Sequence, residues 1–308
     1  MAESTEISWC DSTWSPWEGC TQVSPGCTFC YAESMNRWLR KGANWGPGAP
    51  RREYSDEHWQ KPLKWNAKAA KDGKRLRVFP SVCDPFDNEV GKGRRQDFFR
   101  LIRSTPSLDW LLLTKRIGNA DAMIEEAICD MEIADDPTYK LWPWPNVWLG
   151  ATVVNQEEAD RDIPKLLAVT ARVRFLSIEP MLGPIDLHDH LIRQVNGFTQ
   201  SIDWVIAGGE SGPHARPAHP DWFRSLRQQC AAAGVAWHLK QHGEWLRCES
   251  EASTDRPGRA VYLEDGYGVE LPDRGLRIIQ AHGAEFVHVG KKLAGRLLDG
   301  VEHNGFPA

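Results

Sequence analysis

The sequence has no run of about 18 apolar residues, the length needed to cross a bilayer. Its longest apolar stretch, around Trp110 to Leu113, has the length of a buried strand, so no membrane partner is expected. The opening residues, MAESTEISWCDSTW, lack both a basic start and an apolar core segment. A secretory leader is therefore not expected, and the chain reads as soluble and cytoplasmic. No low-complexity tract and no sequence repeat occurs. The histidines supply no metal set either: His214, His219 and His242 match no ligand spacing with any carboxylate. A strong charge of one sign is also missing, and a net charge of −5 argues neither for nor against a nucleic-acid partner.

With 41% hydrophobic and 26% charged residues, the composition is that of an ordinary globular chain, which excludes disorder. At 308 residues it has room for one large α/β domain with a buried core and a small extension. Charge is unevenly spread. Between Arg37 and Arg77 there are 12 Lys/Arg against 4 Asp/Glu, interleaved with Trp38, Trp45, Tyr54, Trp59 and Trp65. Cations neutralise phosphates and aromatic faces stack on bases, so this segment is a candidate nucleic-acid surface. A solvated basic loop whose aromatics pack on the fold explains it equally well.

From about residue 76, short apolar runs recur roughly every thirty residues: LRVFPSV (76–82), DWLLLT (109–114), NVWLGATV (146–153), RVRFLSI (172–178), DWVIAGG (203–209) and VAWHLKQ (235–241). Continuous apolarity suits parallel strands covered on both faces. Helical spacing falls between them at Arg95–Arg103, Ala120–Met131, Gln156–Leu167 and Pro220–Ala233, and an earlier strand is expected near Trp14–Glu18. Alternating units of this kind build a barrel or an open doubly wound sheet. Residues 246–308 differ: a polar linker over Glu249–Arg259, a hairpin around Tyr262–Leu271, and a short helix over Lys291–Leu298 ended by Gly300.

Each run ends in polar or glycine-rich residues, and in parallel α/β folds the carboxyl ends of the strands form the active face. The ring comprises Cys83 and Asp84 with Asp87, Thr114, Lys115 and Arg116, Thr152 with Asn155, Ser177 with Glu179, Gly208, Gly209, Glu210 and Ser211, and Lys240, Gln241 and His242. Taken singly, each residue is only what any strand must end in.

Eight cysteines without a leader do not read as a disulfide scaffold, and three of them fall within eleven residues. Cys20, Cys27 and Cys30 form C-x6-C-x2-C in WEGCTQVSPGCTFCYAE, directly ahead of a helix-forming run. Structural zinc wants four ligands. A [4Fe–4S] cluster on three cysteines keeps one iron free of protein, able to chelate the amino and carboxylate groups of a methionine moiety. One electron then reaches the adjacent sulfonium and breaks its bond to the adenosyl carbon.

The triplet, with Phe29 before its last cysteine, resembles the radical S-adenosylmethionine superfamily, whose usual signature is C-x3-C-x2-C. The first interval departs from that signature, with six residues in place of three. More closely, TWSPWEGCTQVSPGCTFCYAE, LLLTKR, NVWLGATV, RFLSIEPMLGPIDL, WVIAGGESG, LKQHGEW and GKKLAGRLLDG resemble a phage- and prophage-associated three-cysteine-motif family of unassigned function. The superfamily resemblance implies a partial (β/α)6 TIM-like barrel, here over residues 1–245 with a C-terminal extension over 246–308. It also implies a [4Fe–4S] cluster, S-adenosylmethionine, and a reducing electron donor of flavodoxin or ferredoxin type.

Under that resemblance Phe29 packs beside adenine and Asp84 accepts the methionine amine. Thr152 and Asn155 bond the ribose, Ser177 and Glu179 reach the ribose or methionine, and Gly208 and Gly209 let the backbone approach adenine. Arg116, Glu210, Lys240 and His242 become substrate residues, and Lys115 and Cys83 catalytic ones, Lys115 for an anionic group and Cys83 as a hydrogen-atom donor. A nucleobase, nucleotide or nucleic acid is the suggested substrate, in modification or repair. Two other readings stand beside this one. Cys10 could complete a four-cysteine zinc module in a nucleic-acid-binding protein, or the cluster could only relay electrons.

Overall fold

In the computed structural model the apolar runs become a parallel sheet, and residues 2–132, 142–195, 198–248, 260–262, 268–270 and 277–307 are described. Its seven strands are β1 (Ser12–Thr13), β2 (Leu76–Phe79), β3 (Leu108–Thr114), β4 (Val147–Thr152), β5 (Val173–Ile178), β6 (Trp204–Gly208) and β7 (Ala236–Gln241). They lie side by side in chain order, every neighbouring pair parallel, and the sheet curls into a half-barrel. The partial TIM-like α/β architecture is therefore present. The first strand differs from expectation: Ser12–Thr13 joins the sheet, while Trp17–Glu18 pairs antiparallel with Arg52–Glu53. Trp14 and Trp17 are apolar because they pack in the core, and neither lies in β1.

Helices α1 (Tyr31–Arg40) and α2 (Asp56–Lys71) follow β1, α3 (Lys92–Ser104) follows β2, α4 (Ile117–Glu132) follows β3, α5 (Gln156–Ala168) follows β4, and α6 (Pro220–Ala233) follows β6. Pro220 opens α6 where its missing N–H costs nothing, and Gly234 ends it at φ 68°. The crossover from β5 to β6 carries instead a small hairpin, Ile192–Val195 with Phe198–Ser201.

Strand alternation divides the apolar residues into two layers. Leu108, Trp110 and Leu112 of β3 pack outward with Leu149, Leu176, Val205 and Leu239. Leu111, Phe175, Trp204 and Ile206 line the concave side. A Cβ on Gly150 would lie 2.3 Å from the Phe175 ring, so only glycine lets that ring cross β4.

Chain segments fill the mouth between the edge strands β1 and β7. Trp9 and Cys10 pack on the concave layer, and Ser8 Oγ lies 2.8 Å from His238 Nε2 of β7. From the other end, His303–Gly305 runs along β7: Leu239 N donates to His303 O (3.0 Å) and Gly305 N to Trp237 O (2.9 Å). The Trp204 indole donates to Gly305 O (2.7 Å), and Phe306 stacks near it.

Beyond β7, Trp245–Cys248, Ala284–His288 and Ile278–Ala281 form a three-stranded antiparallel sheet. The expected hairpin pairs Ala260–Tyr262 with Gly268–Glu270, and the expected linker over 249–259 lies outside the described residues. The final helix, α7 (Lys291–Ala294), is shorter than expected. It stops at Gly295, and Gly300 instead turns the chain between Leu297–Leu298 and Val301–Glu302.

Candidate functional site

The cysteine loop lies over the carboxyl ends of the strands. Gly19 bridges Cys83 beyond β2, so Cys20 emerges beside the end of that strand. Cys27 closes a short 3-10 turn, Pro25–Cys27, whose start is capped by Ser24 Oγ accepting from Gly26 N (3.0 Å). Cys30 begins α1, with the helix amides of Ala32 and Glu33 against its sulfur. Buried Glu18 pins α1 by accepting from Asn36 Nδ2 (2.6 Å) and from Arg52 (2.8 Å). The Tyr31 hydroxyl donates to Ser81 O, tying the loop to the end of β2.

Cys20, Cys27, Cys30 and Cys83 line one cavity, together with Asp84, Thr114, Lys115, Arg116 and Thr152. Among the described residues no three His, Cys, Asp or Glu side chains are grouped to hold a metal ion. Cys10 does not line the cavity and packs in the concave layer. Burial pushes its thiol up to about 12, and the Asp11 charge adds to this. Burial, with the Asp84 charge, also raises Cys20 to about 12 against the opposing pull of Arg116.

Two buried ion pairs flank Cys20. Arg116 donates through Nη1 to Asp84 Oδ2 (3.0 Å) and to Cys20 Sγ (3.4 Å), and through Nη2 to Thr21 O (2.7 Å). Burial opposes its charge, but Asp84 and Cys20 outweigh that and raise its pKa above the ordinary arginine value. Arg51, paired with Asp87 at 2.7 Å, donates to Thr21 Oγ1 (2.8 Å). Asp84 itself accepts from Phe86 N (2.9 Å), Thr114 Oγ1 (2.6 Å), Lys115 N (3.1 Å) and Arg116. A carboxylate has about four acceptor positions, and these fill them. Asp84 thus organises the loop ends, which differs from the amine acceptor expected from its position.

A second cavity shares Cys30, Tyr31, Phe79, Leu113, Lys115 and Thr152 with the first. Phe29, Ser177, Glu179, Gly209, Glu210 and Lys240 also reach it, above a floor that includes Ile7 and Trp9. Its charges are mostly paired: Lys240 Nζ with Glu179 Oε1 (2.6 Å), and Glu210 with Arg216 (2.6 Å). Lys115 stands at the boundary of both cavities with no ion pair among the described residues.

Three other expectations are redirected. Asn155 lines neither cavity; its side chain accepts from Glu158 N (2.9 Å) and caps α5. What approaches Gly208 and Gly209 is protein. A Cβ on Gly208 would lie 3.3 Å from Glu179, and one on Gly209 would lie 1.9 Å from His242 O. His242 is buried outside both cavities, its Nε2 at 2.6 Å from Leu297 O.

The aromatics of the basic segment are largely internal, while Lys41, Lys61, Lys64, Lys68, Lys71 and Lys74 are exposed. Trp65 is buried, Trp59 packs on the core and Trp45 lines the first cavity, while Tyr54 stacks on His58. Trp38 alone of the five is fully exposed, at 83%. Arg37, Arg40, Arg51, Arg52, Arg75 and Arg77 all have carboxylate partners. Packing accounts for four of the five aromatics and ion pairing for the arginines, and the lysines form a solvated basic face.

Sequence reasoning missed Arg216, which donates to Glu210 and to Pro25 O (3.1 Å) and lies 5.2 Å from the Phe29 ring centroid. The only cue was an arginine six residues after Glu210, in a glycine- and proline-rich turn. It also missed Tyr31 and Trp9, since nothing in an aromatic residue's sequence position says which cavity it will wall.

A family model described as Protein of unknown function (DUF5131) matches residues 4–307. No curated protein and no solved structure matches the chain.

Proposed function

We propose that this chain, which belongs to the DUF5131 family, is a radical S-adenosylmethionine enzyme holding a [4Fe–4S] cluster through Cys20, Cys27 and Cys30. The observation that carries the reading is that these three cysteines line one cavity, which shares wall residues with a second that Phe29 reaches. Three cysteine thiols facing one cavity are the donor set such a cluster would use. A single tetrahedral ion would draw its thiolates to about 4 Å from one another, whereas a cluster takes each cysteine on a different iron. Cys10, which a four-thiolate zinc shell would need, is committed to the concave core.

When bound, the cluster supplies one electron that cleaves S-adenosylmethionine into methionine and a 5′-deoxyadenosyl radical. The chain's own residues do the rest. Thr152, Ser177 and the Glu179–Lys240 pair offer polar groups to a ligand in the second cavity, and Phe29 with its neighbour Arg216 forms the wall for a flat ring. Trp9, Phe79 and Leu113 add an apolar lining to that cavity. Lys115, a cation without a carboxylate partner among the described residues, favours an anionic substrate group such as a nucleotide phosphate.

The test is anaerobic reconstitution with iron and sulfide, then low-temperature electron paramagnetic resonance of the reduced protein with and without S-adenosylmethionine. A [4Fe–4S]⁺ signal that shifts on adding the cofactor is expected. Absence of a cluster, with zinc retained instead, would end the radical reading; a cluster indifferent to the cofactor would leave only an electron relay.

A further inference from the structure

We infer that Arg116 is a positioning residue for Cys20: a fixed cation that donates to the Cys20 sulfur and raises the reduction potential of the cluster that sulfur would hold. The inference rests on the reading above and assigns Arg116 a task other than substrate recognition. The guanidinium is always charged, has no acceptor, and is buried on the cavity wall. Its fork is spent on three partners of this loop, Asp84, Cys20 and Thr21 O. Asp84 cannot turn away, because its other positions are held by Phe86 N, Thr114 Oγ1 and Lys115 N. Thr21 is gripped from the opposite side by Arg51. The Cys20 sulfur thus meets an N–H of the buried Arg116–Asp84 pair, and its neighbour Thr21 is held by Arg51 of a second buried pair.

The three sulfurs are not equivalent. Cys30 faces helix amides, and among the described residues Cys20 is the one with a guanidinium donor. Hydrogen bonds to cluster sulfurs, together with nearby positive charge, stabilise the reduced and more negative state. Low local polarity strengthens that effect at a buried site. A purely structural Arg116–Asp84 pair would affect folding and leave the potential alone.

The experiment is a redox titration of the reconstituted cluster, followed by electron paramagnetic resonance, in the parent, Arg116→Gln and Arg116→Lys proteins. Iron and sulfide content and circular dichroism are recorded on the same samples. Arg116→Gln should lower the midpoint so that, at the parent's midpoint, the oxidised-to-reduced ratio rises tenfold or more, ~59 mV for one electron. Arg116→Lys keeps the charge without the fork and should fall between the two. It also answers the question if Arg116→Gln does not fold. Loaded variants that titrate at the parent's midpoint overturn the inference while leaving the cluster in place. A parent that retains no iron or sulfide overturns the underlying reading, and this inference with it.

Discussion

Buried Cys10 and half-buried Cys20 both have thiols raised to about 12, yet their surroundings set them apart. Cys20 opens onto a cavity with Cys27 and Cys30, while Cys10 meets Trp9, Phe175 and Trp204. Replacing Cys20, Cys27 or Cys30 by Ser should each abolish cluster retention. Cys10→Ser should retain the parent's iron and sulfide, and loss of iron in that variant would revive the four-cysteine zinc shell. The triplet was legible because thiol spacing is local in sequence. Asp84 was legible only as a position: that four donors from residues 86 to 116 would saturate it depends on how β2 and β3 bring their ends together. The same holds for Asn155, Gly209 and His242, whose partners are set by packing.

At the scale of elements, the apolar runs gave the sheet strands to within a residue or two at most ends, because a strand covered on both faces must be apolar throughout. The exceptions have physical causes. Trp14 and Trp17 are core residues next to a strand of two residues, and the β5–β6 crossover carries a hairpin where helical rhythm was absent. Asn155 belongs to this scale, since it ends a strand connection by starting a helix. Asn155→Ala should cost about 1 kcal/mol through the lost α5 cap, lowering Tm by ~1–2 °C in a chain of this size. S-adenosylmethionine affinity should not change. Calorimetry checks both, and an affinity loss without a stability loss would return Asn155 to the cofactor site.

The molecule as a whole depends on His238, where both terminal segments meet the last sheet strand. Its Nε2 faces Ser8 Oγ at 2.8 Å and the Arg296 guanidinium at 3.2 Å. Arginine can only donate, so Nε2 accepts and the ring is neutral. Burial, and then the charges of Arg296 and Arg77, push its pKa from 6.5 down to about 4. Above pH 6.5 the ring is neutral whether folded or not, and its contribution is fully present. As pH falls toward 4 the unfolded chain takes up the proton first, and the contribution is lost. Allowing for solvent screening, this is on the order of 2 kcal/mol. Urea midpoints at pH 7.5 and 4.5 should therefore fall further for the parent than for His238→Asn, and equal losses would sink the idea. None of this closure was legible in the sequence, because Ser8, His238 and Arg296 are joined only by the curl of the sheet.

That closure sets an order of events during synthesis. All seven strands have been made by Gln241, yet Trp9 and Phe306 belong to the same concave layer, and His303–Gly305 must arrive to run along β7. Until then Leu111, Phe175, Trp204 and Ile206 face an unsealed mouth. Contacts this distant in sequence form late, so the nascent chain carries a sticky, half-lined barrel while the residues from 242 to 303 are made. A chain cut before His303 keeps that state for good, and is the form a chaperone or protease would meet.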